Sequence, residues 1–223
     1  MNLTYYPFKP IIINTTKPTL LETCNQKVYT DLVSGLKGYT DSIKLSDDEF
    51  KLVENEKAVK WIGDAFVEAD LNKMFQSQLQ KQIATKLDDE TRMKLTEINN
   101  QLKSLIFDAT FSLDLPLKVD SEFDPAKLVK YCDVGFVSAL NRDPYGIIET
   151  VLKTASELKE SKILVLTGVR NYLSVSQFNE LVRLISTLDL NTLFIEFSEI
   201  DNHEEFDECR YYYVDQDFVD WRY

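Results

Sequence analysis

Three acidic residues in the segment "LKVDSEFDPAKL" offer the most definite chemistry in this sequence of 223 residues. Asp120, Glu122 and Asp124 follow one another at a spacing of two, so an extended backbone would place their side chains on one side. Carboxylate oxygens are the ligands that calcium prefers in proteins. The spacing is not that of an EF-hand, and Asp124 also precedes Pro125 as a helix cap would. The residues alone therefore leave a metal site and a plain helix start as alternatives.

A glycine between an apolar run and an amphipathic helix has the outline of a phosphate-binding loop. The run "ILVLT" at 163–167 is followed by Gly168, and Ser174 and Gln177 have capping-box spacing at the start of the next helix. A working loop has the pattern Gly-x-x-x-x-Gly-Lys-Ser/Thr, in which glycines admit the phosphate and lysine reaches its oxygens. Gly168 stands alone, and Arg170 is not in the position of that lysine. We predict the shape of such a loop without a bound nucleotide.

Other catalytic signatures are missing from the sequence. The passage "IIINTTKPTLLETC", interpreted as a strand followed by a helix, contains Lys17 but no glycine. The single histidine, His203, lies in the acidic segment "DNHEEFDE", and neither Gly-x-Ser-x-Gly nor His-Glu-x-x-His occurs. The three cysteines are far apart, which argues against a disulfide framework and for a reducing cytoplasm. We therefore expect no enzyme activity.

The elements that would position these residues alternate between strands and helices. Strands are predicted from short apolar runs at 58–62, 134–139, 163–167 and 192–197. The last two runs are nearly continuous in apolar residues, as in strands that helices cover on both faces. Helices are predicted after Asp143 and after Ser174. Two short strands in "LTYYPF" and "IIIN" and a helix over 19–36 complete an α/β fold with a parallel sheet. A last edge strand at 211–214 is predicted as the plain alternative to a functional role of the acidic tail.

The middle of the chain has a different pattern. No glycine or proline occurs between Leu71 and Phe111, and apolar residues recur there with the 3.6-residue period of a helix. The period is interrupted at 88–91, where a new helix can begin. We predict two long helices that form a hairpin, the leg, over 69–116. The leg would be inserted into an α/β head that contains 1–68 and 117–223.

The charge is strongly negative overall but unevenly distributed. The formal net charge is −12; residues 188–223 carry 11 acidic and 2 basic side chains, whereas 71–107 carry 6 basic and 4 acidic ones. The total disfavours nucleic acid as a partner, but a mildly basic face could still bind an anion. There is no apolar run of the roughly 20 residues that a membrane span needs and no signal-peptide pattern. We expect a cytoplasmic protein without a membrane partner.

The order of these segments resembles that of the CRISPR-associated Csn2 family of type II-A systems, which are accessory proteins for the acquisition of new spacers. The similarity extends through "EKAVKWIGD", the two long helices and "LKVDSEFDPAKLVKYCDVGF". It is most evident in "KILVLTGVRNYLSVSQFNELVRLISTLDLNTLFIE", where a strand, an asparagine-containing loop, a capped helix and a further strand follow in order. Apolar patterns and element order carry the resemblance, rather than individual residues.

The resemblance implies a head that is related to P-loop ATPases but lacks their active site, together with a helical leg. It implies a homotetrameric ring that binds double-stranded DNA ends through its central hole, without sequence preference and with calcium stabilising the arrangement. The family's acidic metal-binding segment falls on Asp120, Glu122 and Asp124. Other CRISPR adaptation proteins and the effector nuclease are the implied protein partners.

Encirclement of DNA would require only a few phosphate contacts from each subunit and no contact with base edges. The candidates are basic residues of the leg and of the short helix after the acidic segment: Lys73, Lys81, Lys86, Arg92, Lys94, Lys103, Lys127 and Lys130. Basic residues also line ordinary solvated helix faces, where pairs such as Glu90 and Lys94 need no ligand. Binding through phosphate contacts would weaken steeply as salt rises.

Two other functions remain as alternatives. The tail "EIDNHEEFDECRYYYVDQDFVDWRY" suits an acidic protein-interaction adaptor or a DNA mimic that does not bind DNA itself. The other alternative is a residual nucleotidase, against which the incomplete phosphate loop weighs.

Overall fold

The computed structural model describes residues 1–120, 122–137 and 143–223. The chain divides into two compact units, of which the first contains Met1–Met74 and Ser138–Tyr223 and the second contains Phe75–Val137. The second unit is therefore an insertion in the sequence of the first.

The secondary structure alternates strands and helices around one long helical segment. In chain order the strands are β1 (Asn2–Tyr5), β2 (Ile11–Ile12), β3 (Thr19–Thr23), β4 (Ile43–Ser46), β5 (Leu52–Val53), β6 (Val59–Gly63), β7 (Ile163–Thr167), β8 (Thr192–Phe197), β9 (Arg210–Val214) and β10 (Asp220–Arg222). The helices are α1 (Gln26–Leu36), α2 (Asn55–Ala58), α3 (Ala65–Glu68), α4 (Leu71–Lys86), α5 (Asp89–Thr110), α6 (Pro125–Tyr131), α7 (Pro144–Glu157) and α8 (Val175–Leu188).

The main sheet of the first unit has the strand order β10-β9-β3-β8-β7-β6. All neighbouring pairs are parallel except β10, which is antiparallel to β9. Every residue of β3 and of β7 is buried, as expected where both faces of a parallel sheet are covered. The predicted α/β class with a mostly parallel sheet is confirmed, and the relation to P-loop ATPases stays a prediction.

A smaller antiparallel sheet, in the order β2-β1-β4-β5, lies at the start of the chain. Leu3 of β1 and Leu45 of β4 are buried in one apolar cluster with Val28 and Leu32 of α1. Alternation of buried and partly exposed residues along β1 is typical of a sheet with one covered face. This cluster attaches the small sheet to the helix that follows β3.

Two helix starts that were predicted from capping residues are confirmed. Asp143 caps α7, and its Oδ1 accepts a hydrogen bond of 3.0 Å from the amide of Gly146. Ser174 caps α8 in a complete capping box, in which the Ser174 hydroxyl accepts from the Gln177 amide and the Gln177 side chain accepts from the Ser174 amide. Both motifs use contacts within three residues, so the sequence alone determines them.

The predicted helix over 19–36 is wrong in its first half. Residues 19–23 form β3, which lies between β8 and β9 and is fully buried. The helix begins only at Gln26, because the Asn25 side chain accepts hydrogen bonds from the amides of Lys27 and Val28 at 3.0 and 3.2 Å. The passage "IIINTTKPTLLETC" therefore joins two strands rather than a strand and a helix.

The predictions for two other strands also need correction or qualification. The predicted edge strand at 211–214 is an inner strand, because β10 turns back and pairs with its free side. The run at 134–139 forms no strand over 134–137, and residues 138 and 139 lie outside the described residues. Its apolar composition did not distinguish an extended segment from a strand with a hydrogen-bonded neighbour.

The second unit contains most of α4, all of α5 and the short helix α6. The break between the two long helices lies where it was predicted, and the Asp88 carboxylate caps α5 with a hydrogen bond of 2.7 Å from the Thr91 amide. The Gln80 side chain donates to the carbonyl of Val134 at 2.9 Å. This bond ties the segment after α6 to α4.

Candidate functional site

The loop after β7 makes a tight turn at Gly168. This residue has a φ of 67°, which is readily adopted only by glycine. A Cβ atom at this position would lie 3.0 Å from the side-chain nitrogen of Asn171. A short 3-10 turn, Val169–Asn171, then leads to the cap of α8. The loop thus has the strand, glycine turn and helix expected from the sequence.

The backbone amides of this loop are already occupied by a carboxylate of the protein. Glu196 of β8 accepts hydrogen bonds from the amide of Val169 at 2.8 Å and from the amide of Arg170 at 3.4 Å. Only 2% of Glu196 is exposed. Burial raises the pKa of Glu196 to about 7, although the two amides and the Arg170 guanidinium act in the opposite direction. A carboxyl group of the protein therefore fills the position in which such a loop would hold a phosphate.

Arg170 is also engaged inside the protein. Its guanidinium pairs with the carboxylate of Glu22 in β3, which is fully buried. The Tyr211 hydroxyl donates a second hydrogen bond to the same carboxylate. The guanidinium lies 4.5 Å from the centre of the Phe206 ring, a distance typical of a cation–π contact. Arg170 therefore neutralises a buried carboxylate and is not available as a phosphate ligand.

Sequence reasoning missed Glu22 and Glu196 as partners of this loop. The signal in each case is a lone acidic residue inside an apolar strand, in "TLLET" and "TLFIEF". A buried charge requires a partner, so these two residues predict a polar network at the ends of β3 and β8. The partner itself is set by the strand order and cannot be read from the local pattern.

The three acidic residues predicted as a metal site lie between α5 and α6. Asp124 caps α6, and its Oδ1 accepts from the Ala126 amide at 2.9 Å. Asp120 accepts from the Glu122 amide at 3.1 Å. Lys103 donates to the carbonyl oxygen of Glu122 at 2.5 Å. The helix cap that the sequence left as an alternative is thus present in the structure.

These carboxylates do not form a ready calcium site. Across the described parts of the chain, no group of three or more His, Cys, Asp or Glu side chains is arranged to hold a metal ion. The donor chemistry of Asp120, Glu122 and Asp124 suits calcium, but their arrangement does not gather them around a common point. Calcium binding by these residues therefore stays a prediction.

The eight basic candidates for DNA binding differ in exposure. Arg92 donates to the carbonyls of Ala84 and Leu87 at the end of α4, and Lys103 donates to the carbonyl of Glu122. Lys94 is exposed but forms an ion pair of 2.5 Å with Glu90. The remaining candidates are exposed on α4 and α6: Lys73, Lys81, Lys86, Lys127 and Lys130.

Helix α5 exposes an apolar stripe. None of its residues is buried, and Ile98, Leu102, Leu105 and Ile106 are 57%, 38%, 69% and 51% exposed. Their spacing of four, three and one residues places them on one face of the helix. Single exposed apolar residues are ordinary, but a contiguous row is typical of a surface that binds another protein.

Among the described residues, no helix is both long and apolar enough to cross a bilayer.

These features define an α/β protein with a parallel sheet, whose loop after β7 is closed by its own carboxylate, and with an inserted helical unit. A sequence profile described as CRISPR-associated protein (Cas_Csn2) matches residues 37–218, so the chain belongs to the Csn2 family. The resemblance found from the sequence is confirmed. The role of the protein is CRISPR-associated, and its family indicates CRISPR-related partners.

Solved structures support the same fold. The structure is similar to the crystal structure of Stu0660 of Streptococcus thermophilus, with a TM-score of 0.56 and 15% sequence identity over 96% of this chain and 75% of that chain. At this identity the likeness establishes the fold alone. No curated protein matches the sequence.

Proposed function

We propose that the protein is a non-enzymatic, ring-forming protein that binds double-stranded DNA ends during CRISPR spacer acquisition. Membership of the Csn2 family supports the CRISPR-associated part of this function. The observation that carries the rest is the helical unit, where exposed lysines on α4 and α6 accompany an exposed apolar stripe on α5. The lysines supply phosphate contacts, and the stripe supplies a surface through which copies of the chain associate as a homotetramer.

The charge distribution is compatible with this function. The second unit carries 10 acidic and 8 basic side chains, a net charge of −2, so the first unit holds most of the total of −12. DNA is repelled less by the helical unit than by the rest of the chain. A ring retains DNA by encirclement, so a few contacts from each subunit suffice and no base needs to be recognised.

The absence of catalysis is part of the proposal. The amides that would hold a nucleotide phosphate bind Glu196 instead, and the nearest arginine pairs with Glu22. ATP would have to displace a buried internal carboxylate and would then meet its negative charge. This arrangement argues against the residual nucleotidase.

Calcium assistance is proposed on the donor chemistry of Asp120, Glu122 and Asp124. An ion near these carboxylates would reduce their repulsion of phosphate. Since the structure does not gather the three side chains, the proposal includes no defined coordination geometry. Its test is whether added calcium strengthens DNA binding and a chelator reverses the effect.

The function is tested by fluorescence anisotropy with a labelled linear duplex at several salt concentrations, with calcium and then with chelator. The triple variant Lys81→Ala, Lys127→Ala and Lys130→Ala is expected to bind at least about tenfold more weakly at low salt. Its plot of log affinity against log salt should be shallower by about 2 to 3 for each subunit that contacts the duplex, or roughly 1 for each lost phosphate contact.

The matched control is Lys94→Ala, because Lys94 is already paired with Glu90. This variant should change both the affinity and the salt dependence less than any single lysine of the triple set. If the triple variant binds DNA as the wild type does, these lysines are not the contacts. If no duplex binds with or without calcium, the acidic tail of net charge −9 over 188–223 favours the protein-interaction adaptor instead.

A further inference from the structure

Two hairpin turns in the first unit share an unusual architecture. The first joins β4 to β5 and has the sequence Asp-Asp-Glu-Phe at 47–50. The Asp47 side chain accepts hydrogen bonds from the amides of Glu49 and Lys51 at 3.0 and 2.9 Å. The Asp47 amide donates to the carbonyl of Lys51 at 3.0 Å, and the Phe50 amide donates to the carbonyl of Asp47 at 3.1 Å.

The second turn, between β9 and β10, repeats this arrangement with the sequence Asp-Gln-Asp-Phe at 215–218. The Asp215 side chain accepts from the amides of Asp217 and Val219, both at 2.9 Å. The Asp215 amide donates to the carbonyl of Val219 at 3.1 Å, and the Phe218 amide donates to the carbonyl of Asp215 at 3.3 Å. The two turns therefore match bond for bond.

Each turn places a phenylalanine where the backbone is left-handed. The φ angles of Phe50 and Phe218 are 60° and 62°. Turns of this form usually have glycine or asparagine at that position, because a bulky side chain is disfavoured there. Burial does not compensate for the strain, since 71% of Phe50 and 41% of Phe218 are exposed. Two strained and exposed phenylalanines in matching turns indicate a role outside the folding of the monomer.

The surroundings of the two phenylalanines are also alike. Each turn leads into the edge strand of its sheet, β5 or β10. Each edge strand exposes a further apolar residue, Leu52 at 70% and Trp221 at 48%. A groove of about 590 Å³ beside β5 is lined by Tyr39 and Leu52, among others. Each turn thus adjoins an edge strand that exposes an apolar side chain.

Acidic residues surround both phenylalanines. The first turn contains Asp47, Asp48 and Glu49, and the second contains Asp215 and Asp217. This charge repels DNA and complements a basic surface. The chemistry that recognises these turns is therefore an apolar pocket with lysine and arginine at its rim.

We propose that the two Asp-x-acid-Phe turns are docking elements, each of which inserts its phenylalanine into a basic-rimmed apolar pocket of a partner protein. The partner buries an aromatic ring that the free protein holds in solvent. The acidic residues accelerate the encounter and fix its orientation. This inference does not depend on DNA binding, because neither turn contains a residue proposed to contact phosphate.

The experiment measures binding of the full-length chain to each purified protein encoded in the same CRISPR locus, one at a time, by biolayer interferometry at two salt concentrations. Phe50→Asn and Phe218→Asn are compared with the wild type, because asparagine tolerates the left-handed conformation. Tyr131→Asn is the matched control, since it removes an aromatic ring of 77% exposure outside the turns. The urea midpoint and the sizing-column profile of each variant are recorded in parallel.

We expect at least one partner that binds the wild type more weakly at the higher salt concentration. The same partner should bind each phenylalanine variant about tenfold or more weakly than it binds the wild type. The urea midpoints of these variants should equal or exceed that of the wild type, because the strain is relieved, and DNA binding should be unchanged. Tyr131→Asn should leave the partner affinity as it is.

Four outcomes would overturn the inference. The first is that none of the locus proteins binds, and the second is that binding is insensitive to both phenylalanine variants. The third is a fall in the urea midpoint, which would show that the rings stabilise the monomer. The fourth is a change in subunit number on the sizing column, which would identify a second copy of the chain as the occupant.

Discussion

Glu196 determines what the loop after β7 can bind. Its carboxylate accepts hydrogen bonds from two backbone amides in a nearly dry site. A phosphate-binding loop would donate the same kind of hydrogen bonds to a phosphate. Arg170 and Asp64 are the charged side chains that act on it most, the first stabilising and the second opposing its ionised form. The loop therefore has the geometry of an anion site, and a carboxyl group of the protein itself occupies it.

Titration of Glu196 makes stability depend on pH. The pKa of the Glu196 carboxyl group is about 7 in the folded protein, whereas its ordinary value is 4.5. The native state therefore binds more protons than the unfolded chain between these values, and the stability falls as pH rises from about 4.5 to 7. Above 7 the contribution is constant.

We predict that Glu196→Gln removes this fall. Between pH 5 and pH 8 the free energy of unfolding of the wild type should decrease by about 2 to 3 kcal/mol relative to that of the variant. Urea unfolding of both proteins at pH 5, 6, 7 and 8 measures the difference. A difference that does not vary with pH would show that Glu196 stays ionised in the folded protein throughout this range.

Arg170 stabilises the fold through the buried carboxylate of Glu22. We predict that Arg170→Met lowers the free energy of unfolding by about 3 kcal/mol, because it leaves a buried charge without its cation. The double variant with Glu22→Gln should recover a large part of the loss, since the uncompensated charge is then gone. Urea unfolding of the single and double variants forms the cycle, and additive effects would contradict the pairing.

Residues with local partners could be predicted from the sequence, and those with distant partners could not. Asp143 and Ser174 bind amides within three residues, and both were identified as caps. Glu196 binds an amide 27 positions earlier in the chain. That contact exists only because β7 and β8 are neighbours, so it follows from the sheet order rather than from any local pattern.

Among the elements, β3 shows most clearly where local pattern and tertiary structure disagree. Its residues "TLLET" include leucine and glutamate, which favour helices, and they precede a real helix. The position between β8 and β9 buries all five residues, and this burial outweighs their helical preference. The long helices α4 and α5 were predictable because their periodic pattern extends over many turns.

Helix α5 is the element on which self-association should depend. We predict that Leu105→Glu reduces the number of subunits in solution, because it places a charge in the exposed apolar stripe. The helical content and the stability of the free subunit should change little, by about 0.5 kcal/mol or less, since Leu105 is mostly solvated. Light scattering after a sizing column gives the subunit number, and circular dichroism gives the helix content.

Ser104→Glu is the control for this variant. It introduces the same charge at the neighbouring exposed residue of α5, which lies about 100° away around the helix. The control should retain the subunit number of the wild type. Equal assembly of Leu105→Glu and the wild type would exclude the stripe from the interface.

At the scale of the whole molecule, the net charge of −12 has to coexist with the DNA binding that we propose. An open surface of this charge would hold a duplex poorly, particularly at physiological salt. A closed ring needs less attraction between protein and DNA than an open surface does, because DNA that has entered the hole can leave only along its own axis. In the proposed ring, topology would retain DNA that the few exposed lysines could not hold alone.

The central claim is that the ring accepts DNA only through a free end. The direct measurement is a gel shift that compares a linear duplex with a covalently closed circle of the same sequence, in calcium, followed by cleavage of the circle at one site. Threading predicts that the linear duplex shifts, the closed circle does not, and the cut circle shifts again. Equal shifts of the linear and closed forms would contradict encirclement through an end.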